Sequence, residues 1–246
     1  MISLCNDKIV LLNSLDCFKD SAFIRENIRL YLLSYGTKYD FCQFFLQYCD
    51  ENNSVTSVVM RYNSQVYALL GDKCIDESVS FISGFTDCEI IVDNSLFNEY
   101  FKAETCYVMH KRGIKSKNDC VKIKLAESAS SVAKLVTKDY EKEKADDFFL
   151  NTAHQMRHGF LSVAGFYEDD KLVSVVSFSD SSLEFSLVPF VFTDNYFRGK
   201  GIASKLLSFV CQDSKKNYVL LCQKHNVEFY KKCGFEQKEL CYRFIL

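Results

Sequence analysis

Proline occurs once in the 246 residues and tryptophan not at all, so the loops are almost free of proline and the aromatic part of the core must come from Phe and Tyr, 22 and 14 of them. Twelve cysteines are present, yet no two form a Cys-x-x-Cys pair. Most sit inside apolar runs, as Cys222 does in VLLCQ, where a free thiol acts as a small hydrophobe; neither a disulfide framework nor a zinc cluster is expected. His154 and His158 stand at i and i+4, but no His-Glu-x-x-His pattern or carboxylate set completes a metal site, and they read as a surface pair. The formal net charge of -2 and pI near 6.1 supply no positive field, which excludes a dedicated nucleic-acid or anionic-membrane role. No apolar stretch is long enough to span a bilayer, and the first residues, with Asp7 and Asp16 around a short apolar run, lack the pattern of a secretory signal. A reducing cytoplasm is the expected compartment.

What is present is a folded chain: 48% of the residues are hydrophobic, ample for one large or two small cores. Periodicity predicts an opening strand over 2–12, a helix over 21–35 closed by Gly36, and strands over 41–48, 55–62 and 65–70 with turns at 51–54 and 63–64. A helix over 75–82 and a strand over 89–92 follow. A polar, basic stretch from Lys111 to Asp119 suits a linker or exposed loop. The second part predicts a strand over 120–125, helices over 130–137 and from the acidic 141–147 to Met156, and a hairpin of 161–167 with 171–178. A strand over 183–192, a helix from Ile202, a strand over 218–222, a short helix and a last strand over 240–245 complete it. The fold class is α+β, a mixed and largely antiparallel sheet flanked by helices, preceded by a smaller α+β domain; the boundary is expected between residues 110 and 111.

The chain is organised around Val191 to Gln212, VFTDNYFRGKGIASKLLSFVCQ. It passes from a strand through a glycine turn into a helix whose Ile202, Ala203, Leu206, Leu207 and Val210 form one apolar face. Gly199 and Gly201 put positions without side chains where the first N–H groups of a helix lack intrahelical partners, a terminus that attracts phosphate. A second stretch, YVLLCQKHNVEFYKKCGF, reads as a buried strand, a helix opened by Asn226 and a cap at Gly234. Arg198-x-x-Gly201-x-Ala203 resembles the Arg/Gln-x-x-Gly-x-Gly/Ala acyl-CoA loop of the GNAT-type N-acetyltransferases. Asn226-x-x-Phe229-Tyr230-x-x-x-Gly234-Phe235 is similar to that family's other hallmark. The resemblance covers roughly residues 120–246.

The resemblance implies an acetyl-CoA-dependent N-acetyltransferase that moves the acetyl group directly to a primary amine on a small molecule or peptide. Backbone amides of Arg198, Gly199, Lys200, Gly201, Ile202 and Ala203 would hold the pyrophosphate. Val191, Phe192 and Thr193 would lie on a strand splayed from its neighbour, pairing with the pantetheine arm. Tyr230 matches the tyrosine that protonates the departing thiolate, although a core tyrosine packing on Phe229 would look the same. Asn226 would bond the arm, although capping alone would explain it. An amine of pKa about 10 needs a base. Glu184 is the candidate, the only carboxylate in the strand leading to Thr193; solvent exposure at the strand start is equally compatible, and Asp180 is a weaker choice. Arg157 matches an arginine that lines the acceptor side in similar bacterial proteins. The first half has Asp76 and Glu77 where the second has its glycine turn, and carboxylates there repel phosphate. It is therefore expected to be a degenerate GNAT-like domain, as in two-domain bacterial members, with an unrelated α+β cap as the other reading. The alternative function is an acyl-CoA sensor or scaffold without turnover; a pure interaction protein would bind no CoA.

Overall fold

The structure is a computed structural model that describes residues 1–49, 54–71, 73–115 and 121–246. The expected turn residues 51–53, Asp72, the linker residues 116–119 and Cys120 lie outside the described residues. The chain groups into two compact units, 1–109 with 221–228 and 237–246, and 110–220 with 229–236.

The first unit opens with β1 (Ile2–Leu4) and α1 (Lys8–Leu15). The expected strand over 2–12 therefore ends early. Asp7 Oδ1 accepts the N–H groups of Ile9 and Val10 at 2.8 and 3.1 Å, an N-cap that starts a helix where apolar alternation suggested a strand. Next come α2 (Ala22–Tyr35), β2 (Cys42–Tyr48), β3 (Val55–Tyr62), β4 (Gln65–Leu70), α3 (Ile75–Ile82), β5 (Glu89–Val92), α4 (Phe97–Tyr100) and β6 (Glu104–Arg112), in which the chain passes to the second unit. Lys111 and Arg112, expected in a linker, close that strand. β1 to β4 pair antiparallel in sequence order, and β4 pairs parallel with β5. Along β4 the faces alternate. Val66, Ala68 and Leu70 join Val79 and Ile82 of α3 in one core. Tyr67 turns to α2, its ring 6.4 Å from that of Tyr31.

The second unit repeats this order with β7 (Ile123–Leu125), α5 (Ala129–Val136), α6 (Lys142–Arg157), β8 (Ser162–Glu168), β9 (Lys171–Phe178), β10 (Phe185–Leu187), β11 (Val191–Thr193), α7 (Ile202–Val210), β12 (Asn217–Cys222) and α8 (Val227–Lys232). The chain leaves this unit within β12, re-enters it within α8, and ends in β13 (Glu236–Ile245), whose residues from Gln237 belong to the first unit, antiparallel to β5. β8 and β9 form a hairpin through Asp169 and Asp170, both at positive φ (48° and 61°), the combination a two-residue turn needs to match strand twist. Val132, Leu135 and Val136 of α5 pack with Val163 of β8 and Val175 of β9, and Phe148 of α6 and Phe192 of β11 close over them.

One expected element is divided. The strand read over 183–192 is two: β10 pairs parallel with β12, and β11 pairs antiparallel with β9. Between them lies Pro189, the chain's one proline. Having no N–H, it cannot continue a ladder. No helix among the described residues is long and apolar enough to cross a membrane.

Candidate active site

Two short strands set the geometry. β10 holds β12 through Leu187 opposite Val219, and the last bond is Val188 N–H to the Val219 carbonyl at 2.8 Å. The chain then shifts register by one residue. Leu187 exchanges two hydrogen bonds with Ser179, whereas after Pro189 it is Phe190 whose carbonyl accepts from Ser177 N–H at 3.0 Å. Asp194 N–H donates to the Val173 carbonyl at 2.9 Å. Residues 190 and 194 thus face β9, and the period of two turns the N–H and C=O groups of Val191 and Thr193 to the other side, the edge of the four-stranded sheet β11-β9-β8-β7. Phe192, between them, faces its backbone to β9. β10 and β11 thus part from one another, and the outward backbone edge of Val191–Thr193 is open except at the Thr193 carbonyl, which Arg198 Nε takes.

At the end of that edge the chain makes a 3-10 turn, Asn195–Phe197. It is capped by Asp194, which accepts the Tyr196 N–H at 3.0 Å and bonds Lys138 at 3.3 Å. The Tyr196 N–H, with Lys138 behind it, holds the Asp194 carboxyl below the usual range, so it stays anionic. Gly199 and Gly201 follow at φ of 77° and 73°. These are left-handed conformations that favour glycine, and any larger residue there is strained. Gly201 is the N-cap of α7 and brings no side chain, so the N–H groups of Ile202, Ala203 and Ser204 have neither an intrahelical partner nor a cap; the first helical bond is Lys205 N–H to the Gly201 carbonyl. Arg198 Nε donates to the Thr193 carbonyl at 3.0 Å and its guanidinium lies over Phe192 at 5.9 Å, while the Lys200 ammonium lies 4.9 Å from the Phe197 ring. Both cations are thus seated against aromatic faces beside an uncapped positive helix end. A bound acyl-CoA fits this chemistry: phosphate oxygens match the free donors, and glycine leaves the approach clear.

Tyr230 stands on α8 and is 8% exposed, in ring contact with Phe229 (5.0 Å) and Phe235 (5.8 Å). Its position follows from the helix end. Phe235 N–H donates to the Tyr230 carbonyl at 3.0 Å and Gly234 N–H to the Lys231 carbonyl at 2.9 Å, with Gly234 at φ 84°. That is a Schellman cap, and the Tyr230–Phe235 contact is the apolar clasp that accompanies it. One turn on from Tyr230, Cys233 donates its thiol proton to Ser204 Oγ at 3.3 Å, joining this helix end to the first turn of α7. Lys111 Nζ donates to the Cys233 carbonyl at 2.7 Å and lies over Phe235.

The other expected residues are placed differently. Asn226 ends a 3-10 turn just before α8, in the stretch 221–228 that groups with the first unit. Glu184 is not in the strand leading to Thr193. It lies exposed in the bend before β10, at the paired end, its carboxylate facing Asn217 Nδ2 at 3.4 Å. Asp180 is exposed and pairs with Lys216 at 3.7 Å. The rings of His154 and His158 lie 4.5 Å apart, tilted by 48°, and the described residues hold no group of His, Cys, Asp and Glu fit for a metal. Arg157 lines a groove of about 660 Å³ with Glu127, Phe149, Met156 and Leu161. Sequence reasoning missed Ser174 and Ser177 of β9, which bond the β11 segment; their signal was two serines, both fully buried, inside the apolar run LVSVVSF.

Residues 161–237 match the family model described as an acetyltransferase (GNAT) domain. No curated protein sequence matches the chain. Among solved structures, a Drosophila protein superimposes with a TM-score of 0.70 at 10% identity, over 100% of this chain and 98% of that one. A GCN5-related N-acetyltransferase from Sphaerobacter thermophilus gives 0.60 at 9% identity, over 99% and 95%. A tandem GNAT protein from the clavulanic acid biosynthesis pathway gives 0.57 at 10% identity, over 99% and 98%. Those likenesses span the fold of the entire chain, and with the matched segment they identify it as a GNAT-fold protein whose acetyltransferase (GNAT) domain match falls at residues 161–237.

Proposed function

We propose that the chain is an acetyl-CoA-dependent N-acetyltransferase that transfers the acetyl group directly to a primary amine. One observation carries the reading: the open edge of β11 runs directly into an uncapped helix terminus flanked by two seated cations. When bound, acetyl-CoA supplies an activated thioester. The N–H groups of Ile202, Ala203 and Ser204, with Arg198 and Lys200, hold its phosphates. The outward N–H and C=O groups of Val191 and the Thr193 N–H would bond its arm, the Thr193 carbonyl being held by Arg198 Nε, and an N–H of this edge would polarise the acetyl carbonyl. As the amine nitrogen bonds the acetyl carbon and the C–S bond breaks, Tyr230 Oη would give a proton to the departing sulfur, and the proton lost by the amine would pass to solvent, from which the tyrosine would recover its own. Asn226 adds a bond to the arm. This reading includes a reducing, cytoplasmic setting.

The test is calorimetric titration of the purified protein with acetyl-CoA beside a Gly201→Asp variant, which sets a carboxylate at the helix terminus and strains a left-handed position. Binding by the parent and its loss in the variant are expected; a folded parent that binds no acetyl-CoA would sink the reading. One observation favours an acyl-CoA sensor without turnover: Glu184, the candidate base, is exposed at the paired end of the strand. Thiol release across a panel of amines separates the two, since a sensor releases nothing above hydrolysis.

A further inference from the structure

The opening of β11 needs a cause, and the first unit provides a control. There β4 occupies the same place in the strand order, yet it stays one strand bonded on both sides: Ala68 is opposite Val59 on β3 and Val92 on β5. It has no proline and no break. In the second unit the corresponding segment departs from its neighbour after Val188. Pro189 explains a missing donor, but a missing donor alone leaves the next residue unanchored. The Phe190 carbonyl keeps a backbone bond from Ser177 N–H at 3.0 Å, but the Phe190 N–H is anchored by a side chain. That N–H donates to Ser177 Oγ at 2.9 Å, and the hydroxyl donates in turn to the Phe190 carbonyl at 3.1 Å. One hydroxyl can accept and donate at once. Ser177 therefore serves both backbone groups of the residue at which the register shifts, and it is fully buried. The Phe190 ring packs on Phe148 of α6 at 5.2 Å, which fixes the segment from its other side.

We propose that Ser177 is a positioning residue for acyl-donor binding: its hydroxyl replaces the backbone acceptor that the Phe190 N–H lacks at the register shift, and so holds the Val191–Thr193 edge open. Ser174 acts next to it, bonding Thr193 Oγ1 at 2.7 Å and the Phe192 carbonyl at 2.9 Å, but those bonds need only a paired strand, whereas Ser177 sits at the break itself. The proposal rests on the acetyltransferase reading, because the open edge is assigned to the arm of acetyl-CoA.

Two variants of nearly the same shape isolate the hydroxyl: Ser177→Thr keeps it and Ser177→Val removes it. Each is titrated with acetyl-CoA and, separately, with the nucleotide end of CoA alone, 3′-phosphorylated ADP, which has phosphates but no arm. Ser177→Val should bind acetyl-CoA about tenfold more weakly, because a buried N–H loses its acceptor and the edge shifts. The nucleotide should bind both variants as it binds the parent, and Ser177→Thr should match the parent with both ligands. Equal affinities of the two variants for acetyl-CoA would overturn the role of Ser177 and leave the acetyltransferase reading standing. Equal loss of both ligands in Ser177→Val would also overturn it, since damage to the whole unit produces that. A parent that binds neither ligand would overturn the acetyltransferase reading and this role with it.

Discussion

Under the proposed function Tyr230 would serve structure and chemistry through different atoms. Its carbonyl and ring belong to the cap of α8, accepting from Phe235 N–H and meeting the Phe235 ring, while the hydroxyl is required by neither. Removing the hydroxyl therefore separates the roles. Tyr230→Phe should keep the affinity for acetyl-CoA within about twofold and lower turnover by about a hundredfold, the usual worth of a positioned proton donor. Parallel calorimetry and thiol-release kinetics check it, and equal losses in both would contradict the assignment. In the first unit, Asp93 titrates where few carboxyls do. Burial pushes its carboxyl up to about 6, although Ser21 Oγ and Leu70 N–H both donate to it; Glu239 adds to the rise. The folded value is the higher one, so the stabilising contribution is full below about pH 4 and is lost as pH rises through about 6. The difference corresponds to roughly 3 kcal/mol. Asp93→Asn can keep both partners, because its amide donates to Ser21. Its midpoint in thermal melts should fall less than the parent's between pH 4 and pH 7.

At the scale of elements, what could be read from sequence is what local chemistry decides. β3, β4, α3 and β5 were delimited at the residue because their apolar periods are uninterrupted and Asn, Ser and Gly mark their ends. The glycine turn and the α8 cap were legible because only glycine reaches the left-handed conformations at 199, 201 and 234 without strain. α1 was misread because Ile9 and Val10 are exposed, 70% and 36%, so its apolar residues do not mark one buried face. β6 was missed because its charged end, Lys111-Arg112, imitates a linker. The division of β10 from β11 was illegible for a deeper reason. It depends on which neighbour each half bonds, a long-range choice that leaves only Pro189 and two buried serines as traces. Glu184 was misplaced by the same error, since a continuous strand would have carried it toward Thr193. The cap itself is testable. Gly234→Ala keeps the α8 sequence but puts a Cβ on a residue at φ 84°, with only ordinary contact to Lys111 at 3.6 Å. Strain of about 1 kcal/mol should lower the thermal midpoint by a few degrees.

Over the whole molecule, the same order of strands and helices occurs twice, and the duplicated helix terminus separates the two copies. α3 begins at Cys74 with φ 62°, nearly the conformation with which Gly201 begins α7 at 73°. The backbones thus present similar turns, and the difference lies in the next residues. After Gly201 come Ile202, Ala203 and Ser204, none of them charged. After Cys74 come Asp76 and Glu77, and the bond from Gln47 Nε2, 2.7 Å, holds the Glu77 carboxyl below its ordinary value and therefore ionised. A carboxylate at that end neutralises the dipole and repels phosphate, so under the proposed function a common fold would yield one cradle for the donor and one closed to it. Stoichiometry tests this directly. Titration of the full chain should saturate at one acetyl-CoA per chain, and Gly201→Asp should reduce the count to none. A second equivalent in the parent, or one site surviving in the variant, would mean that the first unit binds the donor despite its carboxylates, and the helix-terminus argument would fail for both halves.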